Sequence, residues 1–226
     1  LDATNGKLLA ANPYGKVTWN DGVDLQTGRP KWTQVYHDAL AGKQVTVWPS
    51  VSGLTNWQHM SFNPQTGLLY INTLHIGMTY EAPEPQAMTP GKPSGAGSVK
   101  RTTVVDDPNV RGFLKAVDPM TGKSKWETPY RSPNWSSTLS TASGLVFTGV
   151  MTGEFQALDA DTGKVLWSFQ TPSGILAQPV TWERNGKQYV TVMSGIGGVY
   201  ALRAGDPNLA NVPAGASIWT FALFDK

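Results

Sequence analysis

The side chains that most often carry catalysis or bind metals are few and scattered in this sequence. His37, His59 and His75 are the three histidines, and their spacings would not place two of them on one helical face as metal ligands. There is no cysteine, which excludes thiolate nucleophiles, cysteine-based zinc sites and disulfides. We therefore expect surface or core roles for the histidines.

Two glycine-containing segments have some of the composition of nucleotide-binding loops but not the context. Thr162-Gly163-Lys164 lacks the upstream glycine of a phosphate-binding loop, and the segment 195–198 lacks the strand, turn and helix that a dinucleotide fingerprint requires. No nucleophile elbow is present either. These segments therefore do not indicate nucleotide binding or a hydrolase.

Charge and hydropathy exclude further classes of protein. The 18 basic and 16 acidic residues are scattered without a run of like charge, so the sequence does not predict nucleic-acid binding. No stretch approaches the 18 apolar residues of a membrane span. With 24 Gly, 16 Pro and 15% charged residues, the composition is typical of a turn-rich globular protein rather than a disordered chain or a coiled coil.

An internal repeat supplies the elements that would position any site. The segment 116–126, Ala-Val-Asp-Pro-Met-Thr-Gly-Lys-Ser-Lys-Trp, reappears 41 residues later at 157–167, and a weaker copy opens the chain. Each copy predicts a hairpin whose glycine takes a left-handed conformation in the turn. A period of this length with several short strands is typical of propeller blades. Trp126 and Trp167 would then lie between adjacent blades.

The carboxylates of the repeat, Asp2, Asp118 and Asp159, are interpreted as turn residues rather than as catalytic bases. Further hairpins are predicted at 60–72, 138–148 and 180–192.

The predicted fold is all-β, a partial β-propeller of about three blades. Residues 1–226 would form a single propeller segment, with 13–55 and 81–111 as long excursions between strands. Because an arc of blades leaves sheet faces and strand edges exposed, we expect a further polypeptide to complete the ring.

At this point the order of the segments resembles the C-terminal part of the PQQ-dependent (quinoprotein) alcohol dehydrogenases, the methanol/ethanol dehydrogenase family. The matching runs are 1–9, 23–30, 56–64, 135–158, 174–179 and 194–198. The resemblance implies an eight-bladed ring, a periplasmic location, and pyrroloquinoline quinone lying near the axis over a calcium or lanthanide ion. It also implies oxidation of primary alcohols to aldehydes.

The same resemblance assigns five residues to the cofactor pocket. Asn56 matches an asparagine that hydrogen-bonds the polar edge of the quinone, and Trp57 matches a residue near the substrate cavity. Trp135 matches a tryptophan in contact with the cofactor. Gly197 and Gly198 match glycines whose backbone approaches the quinone. The alternatives are a turn asparagine, packing tryptophans and a tight glycine turn.

Two departures from the family pattern stand out. Val199 stands where the family usually has tryptophan, which puts one aromatic contact in doubt. Trp48 and Gly77 stand where relatives resembling methanol dehydrogenase often have paired cysteines. Because both partners are absent together, we interpret this as a replaced disulfide.

The resemblance places the metal ligands and the catalytic aspartate outside this chain, so no catalytic or metal-binding residue is assigned within it. The isolated chain is predicted to be inactive without a complementary N-terminal propeller segment. Without a CxxCH haem motif, a separate electron acceptor such as a cytochrome c is expected. The alternative function is a non-catalytic propeller of the same repeat that acts as a protein-binding scaffold.

Overall fold

The computed structural model describes residues 1–81, 90–91, 100–197 and 205–223, which are built mainly from short antiparallel strands. In chain order the strands are β1 (Asn20–Val23), β2 (Pro30–Trp32), β3 (Val45–Val47), β4 (Ser61–Asn63), β5 (Leu68–Leu74), β6 (Gly77–Glu81), β7 (Lys100–Val104), β8 (Gly112–Val117), β9 (Ser124–Tyr130), β10 (Thr138–Ser140), β11 (Leu145–Gly149), β12 (Glu154–Asp159), β13 (Val165–Gln170), β14 (Val180–Arg184), β15 (Lys187–Ser194) and β16 (Ser217–Ala222). A short helix, α1 (Gln34–Leu40), and a 3-10 turn, Pro207–Leu209, are also present. None of the described helices has the length and apolarity needed to cross a membrane.

Three successive sheets form the blades. Two are four-stranded meanders with orders β4-β5-β8-β9 and β10-β11-β12-β13, and the third, β14-β15-β16, has three strands in the described residues. All their pairings are antiparallel. The hairpins predicted at 60–72, 138–148 and 180–192 are confirmed as β4-β5, β10-β11 and β14-β15. The predicted all-β, partial-propeller fold is confirmed with them.

The core lies between the faces of neighbouring sheets. Tyr70 and Leu114 of the first blade pack with Val146 and Leu158 of the second. A second apolar cluster joins the second blade to the third sheet, and its members are Phe155, Ile175, Val190 and Val192, flanked by Trp219 and Phe221. Strands covered on both faces carry continuous apolar runs for this reason.

Each repeat closes on the same aspartate turn. The N–H groups of Asp118 and Asp159 donate to the carbonyl five residues on at 2.9 Å, and the turn glycine at position four donates back at 2.8 and 2.9 Å respectively. Gly122 and Gly163 both have φ of +72°, which L side chains rarely adopt. Asp2 and Asp24 make the same pair of backbone bonds. The Asp24 turn joins β1 and β2 inside the stretch predicted as the first excursion.

The remaining strands build a small sheet beside the first blade, with order β3-β6-β7. Within it, the Trp48 indole lies against Gly77: a Cβ added at Gly77 would be 2.5 Å from Trp48 Cε2. The two positions singled out as a replaced disulfide are therefore in contact, and a large ring on a glycine fills the space between them. Residues 82–89 and 92–99 of the second predicted excursion lie outside the described residues.

Candidate functional site

Trp135 occupies the connection between the outer strand of the first blade, β9, and the inner strand of the second, β10. Its side chain is buried, at 5% exposure. It belongs to an apolar cluster whose other members are Leu74, Met151, Ile196 and Leu209, with Leu176 and Val212 at its edge. These residues come from both four-stranded blades, from the segment before β14 and from the segment between β15 and β16, so Trp135 lies where the three sheets converge.

Trp57 packs edge-on against Trp135. The ring centroids are 5.9 Å apart and the planes are inclined at 71°, an arrangement favoured by the aromatic quadrupole. In contrast to its partner, Trp57 is 65% exposed. One indole is therefore fixed in the core, and the other extends from it with most of its surface uncovered.

Asn56 is exposed and is held at two points. Its backbone N–H donates to Gln58 Oε1 at 2.7 Å, and its side-chain Nδ2 donates to the Ser52 carbonyl at 3.2 Å. Its Oδ1 accepts no hydrogen bond from the described residues. An exposed amide acceptor thus lies one residue from the exposed tryptophan.

Buried side chains fix the segment that carries Trp135. Asn72 Nδ2 donates to the Ser136 carbonyl at 2.6 Å and to Thr148 Oγ1 at 2.8 Å, while Asn134 Nδ2 donates to Asn72 Oδ1 at 2.9 Å. Ser136 Oγ donates to the Ala177 carbonyl at 2.7 Å. The network ties the Trp135 segment to β5, β11 and the chain before β14.

Gly197 follows Ile196, which is a member of the Trp135 cluster. The Ile196 N–H donates to Ser173 Oγ at 2.9 Å, so the backbone is fixed immediately before the glycine. Gly197 is exposed, and a Cβ built on it would meet no described atom within 4 Å. No described residue therefore fills the space beside this backbone. Gly198 and Val199 lie outside the described residues.

A buried ion pair anchors the loop that covers the other side of the cluster. Arg111 Nε lies 3.9 Å from Asp206 Oδ1, with side-chain exposures of 11% and 0%. Asp206 Oδ1 also accepts the Asn208 N–H at 2.9 Å, beginning the turn that brings Leu209 onto Trp135. The pair thus positions apolar residues around the buried indole.

The titratable residues singled out from the sequence lie elsewhere. Hydrogen bonds, chiefly from threonine neighbours, lower the pKa of Asp2 and Asp159, and a backbone N–H from Met120 leads the same effect on the pKa of Asp118. Burial lowers the pKa of His75, whose Nε2 is 3.6 Å from Asp106 Oδ2. Over the described ranges, no three His, Cys, Asp or Glu side chains are grouped as metal ligands.

The structure thus brings Trp57, Trp135 and the backbone at Gly197 to one end of the blades, with Asn56 next to Trp57. Sequence reasoning missed the residues that hold them. Gln58, Asn72 and Asn134 are buried polar side chains. The signal that could have found Asn72 is a lone amide within an apolar run, the segment 68–74.

Comparison of the chain with known proteins shows which family it resembles. Residues 109–190 match the family model described as the glucose/ethanol/alcohol dehydrogenase beta-propeller domain, PQQ. Quinohemoprotein alcohol dehydrogenase ADH IIB of Pseudomonas putida is 40% identical over 227 residues, which cover 100% of this chain and 33% of the relative. A 1-butanol dehydrogenase (quinone) of Thauera butanivorans is 39% identical over 96% of this chain and 35% of its own length.

A solved structure shows the same similarity at the level of the fold. A europium-containing methanol dehydrogenase superimposes with a TM-score of 0.85 at 30% identity, covering 99% of this chain and 42% of that protein. The chain therefore spans about a third of the length of the curated relatives that it matches.

Proposed function

The chain belongs to the PQQ β-propeller family of quinoprotein alcohol dehydrogenases, and from this premise we propose that it supplies one side of the cofactor pocket of an enzyme that oxidises primary alcohols to aldehydes. The observation that carries the proposal is the Trp57–Trp135 pair, with its 5.9 Å centroid separation, at the convergence of three sheets. Because the chain spans about a third of its relatives, the complete reaction centre is proposed to need the rest of the propeller.

The residues present fit a flat cofactor with polar edges. Trp57 offers an uncovered indole, and Asn56 Nδ2, which makes one hydrogen bond in the described residues, offers its second N–H to a carboxylate or carbonyl oxygen. The open space at Gly197 allows close approach to its backbone. Pyrroloquinoline quinone is a planar molecule with carboxylate and carbonyl edges, so we propose that Asn56, Trp57, Trp135, Gly197 and Gly198 hold it.

Within this pocket the chain's own groups would orient the cofactor and exclude water. Trp135 is fixed by apolar contacts and by its hydrogen-bonded segment, so Trp57 has a rigid support. Asn56 is fixed at its backbone and at Nδ2, which sets the direction of the second N–H of Nδ2. When bound, the quinone supplies the hydride acceptor and a nearby metal ion supplies Lewis acidity.

The metal ion is proposed to be calcium or a lanthanide, held by residues of the complementary propeller segment together with the catalytic base. A europium-containing relative in the comparisons supports this choice. We further propose a periplasmic location and a separate cytochrome c as electron acceptor. The isolated chain is proposed not to turn over alcohol.

The pocket is tested by titrating the complete propeller with pyrroloquinoline quinone, with and without Ca²⁺ or La³⁺, and following tryptophan fluorescence and the quinone absorbance. We expect metal to tighten binding and Trp135→Ala to weaken it roughly tenfold, since an aromatic contact contributes about 0.5–1.5 kcal/mol beyond buried area. Trp182→Ala is the matched control, because Trp182 is 43% exposed and stacks on Tyr189 in the third sheet.

Binding that ignores both metal and Trp135 would instead support the scaffold alternative, which the dehydrogenase relatives do not favour. The requirement for a complementary segment is tested separately. The isolated chain, given quinone, metal and a primary alcohol, should show no turnover, and turnover should appear when the complementary segment is added. Turnover by the isolated chain would overturn that part of the proposal.

A further inference from the structure

Gln58 is buried in a segment whose neighbours are exposed. Its exposure is 5%, whereas Trp57 before it is at 65% and both His59 and Met60 after it are exposed. A glutamine is rarely buried without a polar partner, because its amide must exchange water for protein hydrogen bonds. The side chain therefore needs an explanation beyond packing.

One half of the amide has a clear partner. Gln58 Oε1 accepts the backbone N–H of Asn56 at 2.7 Å, closing a tight side-chain loop across Trp57. Asn56 Nδ2 donates to the Ser52 carbonyl at 3.2 Å. With these two bonds made, the backbone and the side chain of Asn56 are both fixed, and the second N–H of its Nδ2 is left to donate outside the described residues.

The other half of the amide has none. Gln58 Nε2 is buried and finds no acceptor in the described parts of the chain. An unpaired buried donor lowers stability, and an unbranched apolar side chain of the same length would remove it. Methionine would also remove the Oε1 that accepts the Asn56 N–H, so this oxygen is the feature that the glutamine supplies.

The segment after Gln58 is fixed to the strand that follows Trp135. The His59 N–H donates to Ser137 Oγ at 2.9 Å, and the His59 carbonyl accepts the Thr138 N–H at 3.0 Å. Gln58 is thus fixed on its C-terminal side. On the N-terminal side, Gln58 Oε1 accepts the Asn56 N–H and so holds the Asn56 backbone in place.

We propose that Gln58 is a positioning residue for the cofactor pocket: its Oε1 fixes the Asn56 backbone so that the Asn56 amide meets the polar edge of the quinone in one orientation. This inference rests on the proposed function, and it adds a residue that the family resemblance did not assign. It predicts a residue retained for binding at a cost in stability.

The test compares Gln58→Met, Gln58→Glu and Asn56→Ala in the complete propeller, reading the dissociation constant for pyrroloquinoline quinone and the melting temperature. Gln58→Met should bind the quinone about tenfold more weakly, the effect of one lost hydrogen bond. Its melting temperature should change little, because removal of the unpaired Nε2 donor offsets the loss of the bond from the Asn56 N–H. Gln58→Glu keeps the acceptor oxygen and should retain more of the affinity than Gln58→Met.

Two controls make the result specific. Gln65→Met makes the same chemical change at an exposed turn between β4 and β5 and should leave the affinity unchanged. In an Asn56→Ala background, Gln58→Met should add little further loss, because Gln58 acts through Asn56.

The inference is overturned if Gln58→Met binds the quinone as well as the unmodified chain, or if its loss adds fully to that of Asn56→Ala. Failure of the proposed function looks different, because the unmodified propeller itself would then not bind the quinone. A lower melting temperature for Gln58→Met with full affinity would assign Gln58 to packing and would also overturn the inference.

Discussion

Trp126 and Trp167 occupy the same position in two copies of one repeat and have different surroundings. Trp126 is partly buried in the core between the first two blades, and its Nε1 donates to the Ala160 carbonyl at 2.9 Å. Trp167 contacts Phe155 and Phe221 but remains 39% exposed. The prediction that both lie between adjacent blades is confirmed: Trp126 packs on the core of the first two blades, and Trp167 lies between Phe155 of its own blade and Phe221 of the third sheet.

The neighbouring blade explains the difference. Trp126 packs on the aspartate turn of the second blade, with its ring over Gly163. The third sheet, which lies beside Trp167, has three strands in the described residues and presents no such turn there. In the part of the chain that the structure describes, the aspartate turn of the next blade therefore covers Trp126, and no equivalent turn covers Trp167.

The largest effect on stability is expected from replacing the two tryptophans themselves. Trp126→Ala should lower the free energy of unfolding by about 3–5 kcal/mol, the range for removing a well-packed aromatic. Trp167→Ala should cost about 1–2 kcal/mol, since much of its surface is already in water. Urea unfolding of the full chain measures both, and equal losses would show that the next blade does not decide the burial.

A second substitution tests the contact from the other side. Gly163→Ala should cost about 2–4 kcal/mol, because the left-handed backbone is strained by about 1–2 kcal/mol and the new methyl overpacks the ring. Its Cβ would lie 2.5 Å from Trp126 Cε3. Gly6→Ala is the matched control, with φ of +74° and no described atom within 4 Å. If urea unfolding gives the same loss of free energy for both variants, contact between the new methyl group and Trp126 contributes nothing to the loss at Gly163.

A smaller effect is expected from the hydroxyl that links the two blades. Thr128 Oγ1 donates to the Gly163 carbonyl at 3.1 Å. Thr128→Val should therefore lower the unfolding free energy by about 1 kcal/mol. Thr181→Val, at an exposed hydroxyl of the third sheet, should change it by less than about 0.5 kcal/mol. The reverse order would contradict the role of the turn in blade contact.

The smallest effect on stability is expected from the turn aspartates, Asp118 and Asp159, which both repeats contain. Hydrogen bonds from Thr162 lower the pKa of Asp159 in the folded chain, so its carboxylate stabilises the fold above its unfolded pKa. That contribution is lost as the pH falls through the folded value. Asp159→Asn should therefore flatten the acid limb of a plot of unfolding midpoint against pH. Asp118→Asn should do the same, and a response from only one would mean that the turns are not equivalent.

The turns and hairpins were predictable because they depend on local chemistry. Asn185-Gly186 and Asp159 with Gly163 specify chain reversals within a few residues, and the structure forms them. The Asp24 turn carries the same Asp-x-x-Thr-Gly pattern, so its position too was readable from the sequence. The fold class followed from the repetition of these signals.

The residues of the candidate site could be predicted from the sequence only in part. The family resemblance named Trp57 and Trp135, and the structure places them in contact. It also named Trp48 and Gly77 as partners, without showing that one ring fills the space above the other. Gln58 and Asn72 could not be assigned, because their partners are set by folds of the loop and by a strand from another blade.

The sequence by itself determined the repeat, the reversals of the chain and the alternation of its strands, since these arise from backbone preferences and contacts within a few residues. The tertiary structure alone decided which of two equivalent tryptophans is covered by a neighbouring turn and which buried amides fix the segments that carry Asn56 and Trp135. The physical reason is that burial and hydrogen-bond satisfaction depend on surfaces from distant parts of the chain. Trp126 and Trp167 share a repeat position, and over the described ranges only the former has a neighbouring turn to cover it.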